Sequence, residues 1–346
     1  YISNIFDALG IPLRLVSKVG PDFAYSDLLS PHTPTIASSS STTHFFADFT
    51  LGQERVLRTG PVCEPIFPSD IPSLCHSHGH GMIGDGDGDG KVPQAQPICN
   101  SIAPFDVRLQ AGKDDDYCED EDLICHSDGT MREGKRGEDD DDSFMGKEIR
   151  VHPSDIPLHD ARLGLGLRFH VGLAVGIVGE ISAETLQKMA DVCTHLVVDI
   201  QALIRTIDPH TGLVGLKSLE DTPFYHLLHR VSFLKAAQNE SLFINLEDAR
   251  KKTSVIVTQG KLGCTVYCKE SKFSLPAFEA VEEDPTGAGD SFLAGFSAGL
   301  YQGFSVRDAA LMGNYFGALA VGQVGLPRFS KQDIQVLSPS FSRCSL

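Results

Sequence analysis

Asp284-Pro285-Thr286-Gly287-Ala288-Gly289-Asp290-Ser291-Phe292 is the stretch on which the reading of this chain turns. Before it, Lys272 to Val281 reads as an extended run bent at Pro276. After it, Phe292, Phe296, Leu300 and Phe304 recur every four residues, the stripe of a helix. The glycines therefore stand where a loop becomes a helix. Gly287 and Gly289 allow backbone angles that a side chain would forbid, so several N–H groups can point one way at the helix start. Such a nest, with the helix dipole behind it, binds phosphate. Asp290 is out of place there as a mere neighbour, because a carboxylate repels an anion. General base is the role that suits it: it takes a proton from a hydroxyl while Gly287, Ala288 and Gly289 hold the phosphoryl group in transfer. Taken alone, the glycines fit an ordinary helix N-cap equally well.

The totals allow one large α/β domain or two smaller ones. The sequence has 346 residues, no run of 18 apolar residues, and a formal charge of −17. The charge argues against nucleic acid as a partner, and the lack of an apolar run argues against a membrane span. Nine scattered cysteines, with no CxxC pair, fit reduced thiols and a cytoplasmic setting. The sequence begins at Tyr1 with no Met or apolar leader and reads as a fragment.

Regular pattern starts at once. Tyr1 to Leu9 reads as a helix stopped by Gly10, and Leu13 to Val19 as a strand leading into Gly20-Pro21-Asp22. Residues 35–58 alternate in polarity around a turn at Leu51-Gly52-Gln53-Glu54, predicting a hairpin. Val171 to Val178 predicts a buried strand and Ser182 the cap of a helix from Ala183 to Cys193. His195 to Ile200 predicts a strand carrying Asp199 at its carboxyl end, where ligands collect in parallel sheets. Val255-Ile256-Val257 is the apolar centre of another strand, followed by the turn Thr258-Gln259-Gly260-Lys261-Leu262-Gly263. Glu240 can open a helix and favour its dipole. A last helix runs from Val306 toward Val324, rich in small residues.

Together these strings resemble the PfkB (ribokinase-like) carbohydrate kinases, most specifically at Asp284 to Phe292 and jointly elsewhere, over residues 1–72 and about 158–330. The resemblance implies a three-layer, doubly wound α/β fold: a mostly parallel sheet, helices on both faces and a small β-sheet lid from the 35–58 hairpin. It implies ATP and Mg²⁺ as cofactors. Thr258, Gly260, Gly263, Asn314, Gly325 and Lys235 would meet the nucleotide, Asp199 and Gln201 the substrate, and Glu240 the metal through water. Three departures stand out: Gln201 where relatives have Asn, Ala237 where they have the Asn of Asn-x-x-Glu, and Arg205 two places late. The strand and double-glycine loop expected before the first helix are absent from the sequence. Within the family, Leu15-Val16-Ser17-Lys18-Val19-Gly20 and Phe233-Leu234-Lys235-Ala236 are most similar to plant myo-inositol kinases. That likeness implies phosphorylation of one inositol hydroxyl. Another PfkB-type sugar or nucleoside kinase, or a catalytically impaired fragment, is the alternative. Any homodimer would pair through the lid.

Residues 73–152 break the pattern, with 19 acidic against 8 basic residues, a net of −11 that leaves −6 for the remainder. Low apolar content predicts a poorly packed insertion between 1–72 and 153–330, with 331–346 a Ser-rich tail. Pro68-Ser69-Asp70-Ile71-Pro72 recurs as Pro153-Ser154-Asp155-Ile156-Pro157 on either side of it. Inside it, Asp85, Asp87, Asp89 and Gly90 imitate the start of an EF-hand loop but meet Gln96 at position 12. His76, His78 and His80 beside Cys75 read as a polar loop before they read as a metal site.

Overall fold

The computed structural model describes residues 1–25, 32–48, 56–72, 168–330 and 333–334. The insertion with its Asp-Gly and His-rich runs, the second Pro-Ser-Asp-Ile-Pro copy and the hairpin turn at 51–54 lie outside the described residues.

Six strands form the central sheet: β5 (Phe169–Ala174), β6 (Cys193–Asp199), β9 (Phe233–Ala237), β10 (Ser254–Thr258), β11 (Cys264–Tyr267) and β12 (Lys272–Leu275). Their order is β12-β11-β10-β9-β6-β5, with β5, β6, β9 and β10 parallel and β11 and β12 antiparallel. The inner strands β9 and β10 are buried from Phe233 to Ala236 and from Val255 to Val257, with Lys235 the one charged residue in those runs. One face packs α2 (Ala183–Val192), whose Ser182 cap accepts from Thr185 N–H at 3.1 Å, as its sequence predicts. The other face packs α5 (Ala288–Tyr301) and α6 (Val306–Val321), with α1 (Ile2–Ala8) against both. This is the three-layer arrangement read from the sequence.

The stripe Phe292, Phe296, Leu300 does turn inward. Phe296 meets Phe233 edge-on at 4.9 Å and stacks with Phe292 at 6.3 Å. Truncating such a buried ring costs about 3–5 kcal/mol. The anchor fixes where the amino end of α5 falls, above the carboxyl ends of β6 and β9. Phe304 falls beyond the helix, which stops at Tyr301.

A small lid hairpin, β3 (Phe45–Asp48) with β4 (Val56–Thr59), pairs Phe45 with Thr59 and Asp48 with Val56. After β6 come the short helix α3 (Gln201–Ile204) and a second hairpin, β7 (Arg205–Ile207) and β8 (Val214–Leu216), which the sequence reading passed over. Two-residue strands β1 (Lys18–Val19) and β2 (Thr35–Ile36) pair in parallel, and α4 (Leu246–Ala249) completes the elements. Leu13 to Ser17 is therefore not a strand as expected. A strand needs a hydrogen-bonded neighbour, and these residues instead border a cavity of about 1790 Å³ between themselves and β5. Among the described residues no helix is long and apolar enough to cross a membrane.

Candidate active site

Gly287 caps α5 with φ 79°, a left-handed angle, and a Cβ there would overlap the ring of Tyr1. The loop before it is braced at two points by Asp284, whose carboxylate accepts Thr286 N–H at 2.9 Å and Gly325 N–H at 3.4 Å. Val321 O accepts the N–H groups of Glu283 and Asp284, tying the loop to the end of α6. The amide groups of Gly287, Ala288 and Gly289 thus open the helix from a fixed turn, and Asp290 lies in its first turn.

Asp290 lines the large cavity together with Gln201, Arg205, Glu240 and Glu180. Its carboxyl is pushed above the ordinary carboxylate range, first by burial and then by the charge of Asp199, while Lys235 and Arg205 pull it back. Beneath it lies an enclosed pair. Lys235 Nζ donates to Asp199 Oδ2 at 3.0 Å, and the two residues are 4% and 0% exposed, so the pair is out of reach of bulk water. Burial alone would lower the Lys235 ammonium, but the carboxylates of Asp199 and Glu240 outweigh it and hold the pKa up. Lys235 Nζ is also so near the helix start that a Cβ on Gly289 would stand 2.9 Å from it.

The resemblance assigns Asp199 to the substrate. The structure encloses it, and Gln201 donates to it through the backbone N–H at 3.1 Å and Nε2 at 3.0 Å. Gln201 itself does reach the cavity. Glu240 opens a short 3₁₀ turn, Glu240–Phe243, and its two oxygens accept Ala237 N–H at 2.8 Å and the Arg205 guanidinium at 3.3 Å. Arg205, two places late by sequence, thus has a definite partner. Glu180, two residues beyond the predicted strand Val171 to Val178, is raised by burial, accepts Val178 N–H at 2.6 Å and faces the same cavity. Its position after a parallel strand was the signal that could have found it.

The residues assigned to the nucleotide divide. Thr258 ends β10, donating to Ala236 O at 3.3 Å. Gly260 (φ 58°) and Gly263 (φ 91°) bracket a 3₁₀ turn, with Gly263 against the Leu275 carbonyl. Asn314 is buried, and its amide donates to Leu275 O at 3.3 Å and Pro276 O at 2.9 Å. It therefore ties α6 to the end of β12. An ion pair of Lys261 with Glu282 at 3.2 Å brings the Gly260–Leu262 turn beside the loop before Asp284. Leu262, Val281 and Val324, between 71% and 79% exposed, project from these adjoining segments. Gly325 (φ 79°) follows in the same rim.

Among the described residues no group of three or more His, Cys, Asp or Glu could hold a metal ion by itself.

A family model described as pfkB family carbohydrate kinase matches residues 234–332. The chain is 34% identical over 349 residues to an inositol 3-kinase of Arabidopsis thaliana, covering 99% of this chain and 72% of that protein. It is 33% identical to an inositol 3-kinase of Oryza sativa subsp. japonica, covering 97% of this chain and 65% of that protein. The fold is similar to a solved pyrophosphate-dependent kinase in the ribokinase family, complexed with a pyrophosphate analogue and myo-inositol. The TM-score is 0.58 and the identity 11%, over 96% of this chain and 89% of that one.

Proposed function

The chain belongs to the pfkB family of carbohydrate kinases, and from that premise we propose that it transfers the γ-phosphoryl group of ATP to a hydroxyl of a cyclitol, myo-inositol foremost. The observation that carries this reading is the carboxylate of Asp290, lining the cavity one residue beyond the N–H groups of Gly287, Ala288 and Gly289.

The chemistry follows from that placement. Asp290 accepts the hydroxyl proton as the substrate oxygen bonds to the γ-phosphorus. The bond from phosphorus to the β,γ-bridging oxygen breaks, and ADP leaves with those electrons. A carboxyl raised above its usual range is the better base near neutral pH, because its proton affinity lies closer to the working pH. The N–H groups of Gly287 and Gly289, joined by that of Ala288 once it exchanges its 3.3 Å contact with Pro285 O for the ligand, stabilise the charge on the phosphoryl oxygens; donors so placed contribute about 3–4 kcal/mol each in other enzymes. Lys235, beneath Gly289, adds a fixed positive charge to that end of the helix, and Asp199 positions Lys235.

Mg²⁺ would be met by Glu240 through water and would supply charge neutralisation between the donor phosphates. The turn at Thr258, Gly260 and Gly263 would meet the phosphates. Leu262, Val281 and Val324 would flank the adenine ring, with Asn314 and Gly325 shaping the pocket from behind. Gln201 and Glu180 face the cavity as hydrogen-bonding partners for the polyol. The cytoplasm, one compartment where ATP and Mg²⁺ are plentiful, is the setting we assign to this chemistry. The lid, with Phe46 exposed on β3, is the face we assign to any pairing of two copies.

The test is a matrix of donors and acceptors followed by ³¹P NMR. ATP and pyrophosphate are each offered with myo-inositol, ribose, fructose and adenosine. A new phosphomonoester signal with ATP and myo-inositol supports the reading. A product only with a sugar, a nucleoside or pyrophosphate overturns the substrate or donor assigned here.

A further inference from the structure

The hairpin β7–β8 is fastened at both ends, and the two fastenings face different parts of the site. At its tip, Thr59 N–H of the lid strand β4 donates to Gly212 O at 2.8 Å, and Thr59 Oγ1 reaches the same oxygen at 3.4 Å. Arg58 and Leu213 form an isolated antiparallel bridge beside this link, so the tip of the hairpin is joined to the lid strand. The tip itself is a closed turn: Asp208 N–H donates to Leu213 O at 2.8 Å, and Gly212 N–H to Asp208 O at 2.9 Å. The Asp208 carboxylate also takes the N–H groups of His210 and Thr211 at 2.9 and 2.8 Å. At the root, Lys217 N–H donates to Ile204 O at 3.0 Å, and Arg205 reaches Glu240.

A short hairpin with so many internal bonds moves as one piece. One end of that piece is attached to the lid. The other end carries the guanidinium that occupies one oxygen of Glu240. The Arg205–Glu240 contact, at 3.3 Å, is already at the long end of a hydrogen bond, so a shift below an ångström makes or breaks it.

We infer that the β7–β8 hairpin transmits the position of the lid to Glu240 through Arg205, which makes Arg205 a positioning residue coupling polyol binding to nucleotide binding. This rests on the kinase reading above. When the lid settles on a polyol, the Thr59–Gly212 link carries the hairpin with it and resets how much of the Glu240 charge is offered to the donor side. Thermodynamic linkage then requires the effect to run both ways, each ligand tightening the other equally.

Gly212 supplies a perturbation outside the cavity. It has φ 67°, and a Cβ there would stand 2.7 Å from Thr59 O, so Gly212→Ala forces the link apart. The experiment is isothermal titration of the whole chain with the β,γ-methylene analogue of ATP and Mg²⁺, with and without saturating myo-inositol, and the reverse. For the unaltered protein the expected tightening is about five-fold or more; for Gly212→Ala and Arg205→Gln it falls below about two-fold, and Arg205→Lys recovers part of it. Affinity for the nucleotide alone stays close to the original in Gly212→Ala. A hairpin of merely structural importance would lower the thermal midpoint and leave the tightening ratio untouched. Full tightening in either Gly212→Ala or Arg205→Gln overturns the inference. Binding of both ligands without tightening in the unaltered protein overturns it alone, whereas no binding of myo-inositol overturns the substrate reading as well.

Discussion

Lys235→Met is the substitution whose consequences the structure constrains most tightly. It keeps the stem of the side chain and removes only the ammonium, so packing within β9 changes little. Asp199 is then left fully enclosed, with Gln201 as its remaining donor. Breaking a buried pair by removing one partner costs about 3–5 kcal/mol, and the two retained Gln201 contacts place this case near about 3 kcal/mol. Adding Asp199→Asn removes the stranded charge, so the double variant should recover about 2 kcal/mol of that loss, a non-additivity characteristic of contacting groups. Urea titration of the four proteins followed by circular dichroism gives both quantities. A second readout follows from Asp290. The Lys235 charge holds the Asp290 carboxyl down, so without it that carboxyl rises further and the acid limb of kcat/KM moves to higher pH. A loss under about 1 kcal/mol in Lys235→Met, or strict additivity in the double variant, refutes the view of an enclosed, mutually dependent pair.

Gly263→Ala should destabilise the fold by more than about 1 kcal/mol and weaken nucleotide binding, because φ is 91° and the new Cβ would overlap the Leu275 carbonyl; thermal unfolding and nucleotide titration check both. Burial pushes the thiols of Cys193 and Cys264 up to about 11 and about 12, so both should resist iodoacetamide at pH 8 in the folded protein and react once it is unfolded, as read by peptide mass spectrometry. Asp290→Asn should raise the unfolding midpoint at neutral pH. The folded carboxyl has the higher pKa, so its contribution to stability is complete below the unfolded pKa and is lost as pH rises through the folded one.

The sequence carried the parts of the site that are local. Gly287 to Asp290 needed only a loop, a helix start and an out-of-place carboxylate, and the aromatic stripe of α5 told where that helix would lie. The Ser182 cap and the placement of Asp199 at a strand end are equally local signals. What escaped depends on partners far along the chain. Asp199, which the resemblance assigns to the substrate, is enclosed and hydrogen-bonded to Lys235, 36 residues on, a partner that no local pattern reveals. Asn314 is occupied by carbonyls 38 and 39 residues earlier, which no helical pattern reveals. Arg205 looked misplaced because its partner Glu240 lies 35 residues on, after the neighbouring strand β9, and the β7–β8 hairpin was missed because its strands are only three residues each. Leu13 to Ser17 has the composition of a strand but no neighbour to pair with among the described residues.

The central claim is that Asp290 removes the proton during phosphoryl transfer. The most direct measurement is single-turnover phosphorylation of myo-inositol by Asp290→Asn, beside titration of the same protein with the β,γ-methylene analogue of ATP. The account predicts nucleotide affinity close to that of the unaltered protein and a rate reduced by about 10²–10⁴, the usual worth of a positioned base. A near-normal rate with the carboxylate gone would contradict it.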